Sequence, residues 1–162
     1  MTRTDRLLAY VATLLIAVGT MGIGTAIAQT PDLKPATKEQ AVAMVKKAVA
    51  YIKAEGPDKA YAEIDDKAGQ FVDGDLYIAV VGFDGTLLAY GSEGQKVGAD
   101  VMNLKDVDGK EVVKERLALA KTEPSFWQSY KFTNPVTKTI EPKEMYCERL
   151  DETVVCGGVY VF

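Results

Sequence analysis

Pro142-Lys143-Glu144-Met145-Tyr146-Cys147-Glu148-Arg149-Leu150-Asp151-Glu152-Thr153-Val154-Val155-Cys156-Gly157-Gly158 decides the fold. Two arms, Lys143 to Leu150 and Val154 to Tyr160, flank Asp151-Glu152 and read as a β-hairpin. With a two-residue turn, Leu150 faces Thr153 as the first hydrogen-bonded pair, and counting outwards sets Cys147 against Cys156 in a non-hydrogen-bonded pair. Such a pair holds its Cα atoms about 4.5 Å apart, at the short end of what a disulfide accepts. Leu-Asp-Glu-Thr is not the Asn-Gly signal of a favoured tight turn, so a register shifted by one or a longer loop stays open. A structural bridge is the economical reading in an exported chain; a redox pair would call for Cys-x-x-Cys spacing, which is lacking.

Strand alternation puts Lys143, Met145 and Cys147 on one face and Glu144, Tyr146 and Glu148 on the other. Lys143 and Tyr146 can serve one ligand only if Lys143 sits in an irregular entry after Pro142, whose missing N–H favours a strand start. From spacing alone a solvated lysine is the plainer reading. Upstream, Ser125 to Phe132 alternates, with Phe126, Gln128, Tyr130 and Phe132 on one face and Trp127, Ser129 and Lys131 on the other. Asn134-Pro135 opens a polar turn between these strands. Tyr130 and Tyr146 each bring a hydroxyl to an apolar face, where burial demands a partner.

Further upstream, Lys110 to Lys121 is predicted helical, with Val112, Val113, Arg116, Leu117 and Ala120 on one side and Pro124 ending it. Asp106-Val107-Asp108-Gly109 before it matches only a fragment of a calcium loop and reads as a turn. Gly91 to Met102, with three glycines, is a long loop suited to covering a pocket. Leu76 to Val81 and Thr86 to Tyr90 form a hairpin about Phe83-Asp84-Gly85, with its first strand buried on both faces and Tyr77 carrying a polar tip. A helix from Lys38 to about Glu55 has Thr37 as N-cap and Gln40 completing a capping box. Its stripe is Ala41, Val45, Ala48, Val49 and Ile52, the pattern of a helix packed on something flat. Gly56 stops it and Pro57 starts a second, short helix.

Residues 1–28 read as an export signal: Arg3 and Arg6 precede an apolar run from Leu7 to Ile27 ending in Ala26-Ile27-Ala28. An uncleaved anchor is the alternative, because the run reaches the roughly 20 residues of a bilayer span. Residues 29–37 are a spacer and 38–162 one domain. The chain of 162 residues thus keeps about 125 for folding, enough for one core. Its net charge of −4 becomes −5 once Arg3, Arg6 and Asp5 are set aside, which argues against nucleic-acid binding. The sequence has no histidine, which excludes Ser-His-Asp and Cys-His catalysis, His-ligated zinc and proximal-His haem within the chain. No cofactor or metal is expected. An enzyme working through Asp and Glu would rest only on plentiful carboxylates, which are ordinarily a solvated surface.

The ordered series Phe71-Val72-Asp73-Gly74-Asp75-Leu76-Tyr77, Asp84-Gly85, Val97-Gly98-x-Asp100, Asp106-x-Asp108-Gly109-Lys110, Trp127-x-x-Tyr130, Asn134-Pro135, Pro142-Lys143-x-x-Tyr146 and Gly157-Gly158-Val159-Tyr160 resembles the single Cache domain, type 2, of bacterial extracytoplasmic sensors. The likeness runs from about Glu39 to Tyr160. It implies an α+β, PAS-like (Cache) fold, with a long N-terminal helix packed on a central antiparallel sheet. It also implies a small-molecule-binding sensor, periplasmic or secreted or held by an uncleaved N-terminal helix, recognising a small organic acid. The pocket residues it implies are Tyr77, Met102, Trp127, Tyr130, Lys143 and Tyr146, with Lys143 as carboxylate partner. Receptors of this kind continue into a membrane helix, whereas Phe162 follows directly on the last strand, so ligand state is expected to pass to a membrane-protein partner. An exported accessory subunit without a working pocket is the second reading.

Overall fold

The structure is a computed structural model that describes residues 34–161. The export signal expected over residues 1–28, and the spacer up to residue 33, lie outside the described residues. Among the described residues no helix is long and apolar enough to cross a membrane.

Helix α1 (Lys38–Glu55) starts at the expected capping box: the Thr37 side chain accepts from the Gln40 N–H while the Gln40 side chain accepts from the Thr37 N–H. Ala41, Val45, Ala48, Val49 and Ile52 are its buried residues, the stripe read from the 3.6-residue period. Gly56, at φ 82°, ends it and leads into α2 (Pro57–Asp65). The strands are β1 (Val72–Asp73), β2 (Leu76–Gly82), β3 (Leu87–Tyr90), β4 (Ser125–Thr133), β5 (Ile140–Leu150) and β6 (Thr153–Tyr160), with α3 (Val112–Thr122) between β3 and β4.

All strand pairings are antiparallel, in the order β1-β2-β6-β5-β4, with β3 also paired to β2. This is the α+β arrangement expected, a long N-terminal helix lying on an antiparallel sheet. β2 and β6 are central and buried along nearly their whole length, so each strand feeds two cores. On one face Ile78, Val80, Tyr146, Leu150 and Val155 pack with Val45, Val49 and Ile52 of α1 and Ile64 of α2. On the other face Tyr77, Ala79, Val81, Tyr130, Met145 and the cystine pack with Val112, Val113 and Leu117 of α3 and with Val101 of the long loop.

The β5–β6 hairpin has the register counted from the sequence: Leu150 pairs with Thr153 and Cys147 with Cys156. Asp151 takes the left-handed conformation (φ 51°) that lets the turn close without Asn-Gly. The cysteines are joined, with Cα atoms 4.2 Å apart. β5 begins earlier than expected, however, at Ile140, and Pro142 pairs with Lys131 inside a regular ladder. Its carbonyl accepts from Val161 N–H, so the absent proline N–H does not interrupt the strand. Lys143 is therefore not in an irregular entry, and the alternation that separates it from Tyr146 holds.

Candidate functional site

The face of the sheet turned away from α1 carries a cavity. It is lined by Tyr77, Ala79 and Val81 of β2, Leu87 and Tyr90 of β3, Gln95, Val101 and Leu104 of the loop, Val112, Val113 and Arg116 of α3, Tyr130 and Phe132 of β4, and Met145 of β5. The cavity volume is about 30 Å³, so its walls nearly fill it. One water needs roughly 10–15 Å³ on this measure, so the space suits a very small ligand. Strand register sorts its walls. Along β2 and β3, Tyr77 and Tyr90 stand at one end, while Val81 and its partner Leu87 close the other.

Arg116 is the charged group of this cavity. It projects from the apolar stripe of α3 and is only 5% exposed. Its Nε donates to Gln128 Oε1 at 3.1 Å, and the same amide donates to the Val112 carbonyl at 2.8 Å and to Glu115 Oε2 at 2.7 Å. Gln128 thus clamps the first turns of α3 to β4 and fixes the guanidinium, whose carbon stands 5.7 Å from the Tyr130 ring centre. Among the described residues no carboxylate forms a salt bridge with Arg116. A guanidinium held through Nε and without an acidic salt-bridge partner among the described residues presents a planar fork of donors, which suits a planar anion.

Three tyrosines, Tyr77, Tyr90 and Tyr130, line the cavity with it, and burial holds their protons. Tyr77 and Tyr90 hydroxyls meet at 3.1 Å, and Tyr130 donates to the Met145 sulfur at 3.5 Å. Burial pushes Tyr90 up to about 12, against the opposing pull of its bond to Tyr77 and of Arg116. Burial likewise raises Tyr130, and raises Tyr77 well above the ordinary range, with the neighbouring tyrosines adding to it. Tyr160 is raised by burial and donates to the Thr133 carbonyl at 2.7 Å.

Lys143 is fully buried, not solvated. It pairs with Tyr130 on one side and Tyr160 on the other. Its stem crosses Gly158, where an added Cβ would stand 2.9 Å from Lys143 Cε. The amine lies 3.9 Å from the Tyr77 ring centre and 4.5 Å from that of Tyr160, whose hydroxyl is 3.3 Å away. Burial first, and the Arg116 charge second, pull this amine well below the usual lysine range, with Asp75 pulling the other way.

Of the six pocket residues expected from the resemblance, Tyr77 and Tyr130 line the cavity and Lys143 lies directly behind Tyr77. The other three do not line it. Tyr146 and Trp127 pair with each other on the α1 face, with ring centres 5.3 Å apart, and Lys38 stands over the indole. One-residue alternation places them there. Met102 packs over Gly85 in the β2–β3 turn and against the core of the cavity face without lining the cavity, whereas Val101, one position earlier, lines it. Sequence reasoning missed Arg116, Tyr90 and Tyr160 as site residues. An arginine inside an apolar helical stripe was a usable signal for the first. Counting outwards from Cys147–Cys156 gives Lys143–Tyr160 directly. The Asp106 turn holds its own backbone: Oδ1 accepts from the N–H groups of Asp108 and Lys110 at 3.0 and 2.9 Å.

The model of the single Cache domain 2 family matches residues 16–161. The chain belongs to that family. Cache domains are extracytoplasmic, sensory and non-catalytic modules. Among solved structures, the Cache domain resembles a methyl-accepting chemotaxis protein from Vibrio parahaemolyticus RIMD 2210633, at TM-score 0.65 and 20% identity over 76% of this chain and 87% of that one. It is also similar to a periplasmic sensor domain of a chemotaxis protein, at TM-score 0.61 and 21% identity over 76% and 90% of the two chains. A third relative in shape is a Cache chemosensory domain described for carboxylic acid recognition, at TM-score 0.65 and 21% identity over 76% and 92%. At these identities the likeness shows the fold. A search of curated proteins finds no significant match.

Proposed function

We propose that this Cache domain is an extracytoplasmic sensor that binds a small carboxylic acid in the cavity beneath α3 and passes its ligand state to a membrane-protein partner. One observation carries the reading: a buried guanidinium without an acidic partner among the described residues, on the wall of an otherwise apolar and aromatic cavity. A carboxylate supplies the missing charge, and protonated tyrosines supply further donors. Val81, Leu87, Val101 and Val112 then surround the tail of the acid. The carboxylic acid recognition described for a protein of the same fold supports this choice of ligand class.

The test is a thermal-shift screen of short mono- and dicarboxylic acids, hydroxy acids and amino acids, followed by titration of any that raise the midpoint. A saturating ligand at 100 times its Kd adds about 2.7 kcal/mol of stability, which is readily seen. Arg116→Met is expected to weaken the best acid by about 100-fold, as befits loss of a charge-assisted contact in a desolvated site. Tyr130→Phe, a milder change, is expected to weaken it by about 5- to 10-fold. The tight filling of the cavity favours a second reading, an accessory subunit without a working pocket. Absence of a shift with every acid would select that reading.

A further inference from the structure

The enclosed Lys143 amine lacks the counter-ion that burial of a charge demands. Among the described residues no carboxylate reaches it at salt-bridge distance. Its hydrogen-bond partner, the Tyr160 hydroxyl, is a neutral group whose own proton goes to Thr133. We propose that Lys143 is uncharged in the empty domain and takes up a proton as an acid binds, so that the cavity recognises a carboxylate together with a proton. This rests on the carboxylate reading above and adds the protonation state in which the site works.

The groups facing the amine from each element decide its charge. From α3 comes Arg116, a cation, which opposes a second positive charge. From β2 and β6 come the rings of Tyr77 and Tyr160, the latter with its hydroxyl at 3.3 Å, and from β4 the cross-strand neighbour Tyr130, all neutral. From the segment before β2 comes Asp75, the acid that favours the ammonium form, itself only 8% exposed and raised by burial. A surface groove borders Lys143 and is lined by Asp106, Asp108, Lys110, Lys131 and Glu144. Those charges are engaged with one another and with α1: Lys131 pairs with Asp108 at 2.9 Å, Lys110 with Glu115 at 2.8 Å, Glu144 with Lys38, and Asp106 accepts backbone N–H groups. The amine's depressed affinity for protons agrees with this inventory.

An anion seated against Arg116 reverses the balance. It cancels the repelling charge of Arg116 and sets a negative one across the Tyr77 wall from the buried amine, so Lys143 accepts a proton from solvent. The acid enters ionised, one proton follows, and the cavity keeps its net charge. Affinity therefore falls with rising pH, by up to about tenfold per unit between the free and bound pKa of the amine.

Titration calorimetry of the purified full chain with propionate near neutral pH, in phosphate and in Tris, reads the proton count from the difference in heats. Uptake approaching about one proton per propionate is expected, and none with Lys143→Arg, whose guanidinium is always charged. Binding with the same heat in both buffers would overturn the proton coupling while leaving the carboxylate reading in place. Selective 13C-lysine NMR of the unliganded protein tests the starting state without any ligand. A neutral Lys143 side chain near neutral pH is expected, and an ammonium signal there overturns the proposal. Failure of propionate and of every other acid to bind removes the carboxylate reading, and the coupled uptake goes with it.

Discussion

Two adjacent glycines serve the two faces of the sheet. A Cβ on Gly157 would stand 3.1 Å from both Ile78 Cδ1 and Val45 Cγ2, so this position sets how closely α1 approaches. A Cβ on Gly158 would stand 2.9 Å from Lys143 Cε and 2.9 Å from the Glu144 carbonyl, so this one leaves the path by which the lysine reaches Tyr77. Gly158→Ala is expected to cost about 1–3 kcal/mol through overpacking and to displace Lys143. Gly157→Ala should cost a similar amount yet leave acid binding within about twofold of the parent, because it crowds only the α1 face. Denaturant unfolding with acid titration separates the two, and equal effects on binding would refute the division of labour. At this scale the sequence was legible by alternation: it kept Lys143 apart from Tyr146, and the family likeness then set both in one pocket. Arg116 was visible in the stripe of α3 without a role, because only the docking of that helix on β4 through Gln128 turns it toward the tyrosines.

The β5–β6 hairpin was the most legible element, since its period and its cysteines favoured the register that the strands adopt, although Leu-Asp-Glu-Thr left a shift by one open. The cystine lies on the cavity face, buried, with Phe126 paired to Cys147. It closes a short loop, with a sequence separation of 9, and such a loop restricts the unfolded chain by about 2–3 kcal/mol on the entropic account. Replacing both cysteines by alanine is expected to lower the thermal midpoint by about 10 °C and to leave the acid affinity largely intact, because the ladder on both sides holds Lys143 and Tyr160 in register. A loss of binding larger than the loss of stability would mean the cystine positions the site. The covering loop was less legible. Its glycines announced a loop, but which residue reaches the cavity depends on the Leu87–Ala99 and Val101–Gly85 hydrogen bonds that bind it to β3 and its turn, and these set Val101 on the cavity wall and Met102 over the β2–β3 turn.

The described residues form one sheet between a structural core on the α1 face and a chemically loaded one on the other. That asymmetry has a consequence for stability against pH. Lys143 has a folded pKa below its unfolded value of about 10.4, so between those two values the unfolded chain binds more protons and stability rises with pH. Tyr77, Tyr90, Tyr130 and Tyr160 have folded values above the unfolded 10 or so. Above that point the native state binds more protons, and stability falls as the unfolded tyrosines ionise. Asp75, raised by burial, loses stability as pH rises through its own acidic window, far from both. The surface carboxylates Asp84, Asp106 and Glu111, lowered by hydrogen bonds, lose theirs as pH falls. Stability of the ligand-free domain is therefore expected to climb with pH from the lowered folded pKa of Lys143 up to about pH 10 and then drop, whereas most proteins peak between about pH 5 and 8. Urea midpoints across that range check it. Lys143→Met should remove the alkaline climb and keep the fall above pH 10, because the tyrosines remain. A wild-type curve without any rise below about pH 10 would mean that Lys143 keeps its proton in the ligand-free protein, at odds with a fully buried amine set between the rings of Tyr77 and Tyr160.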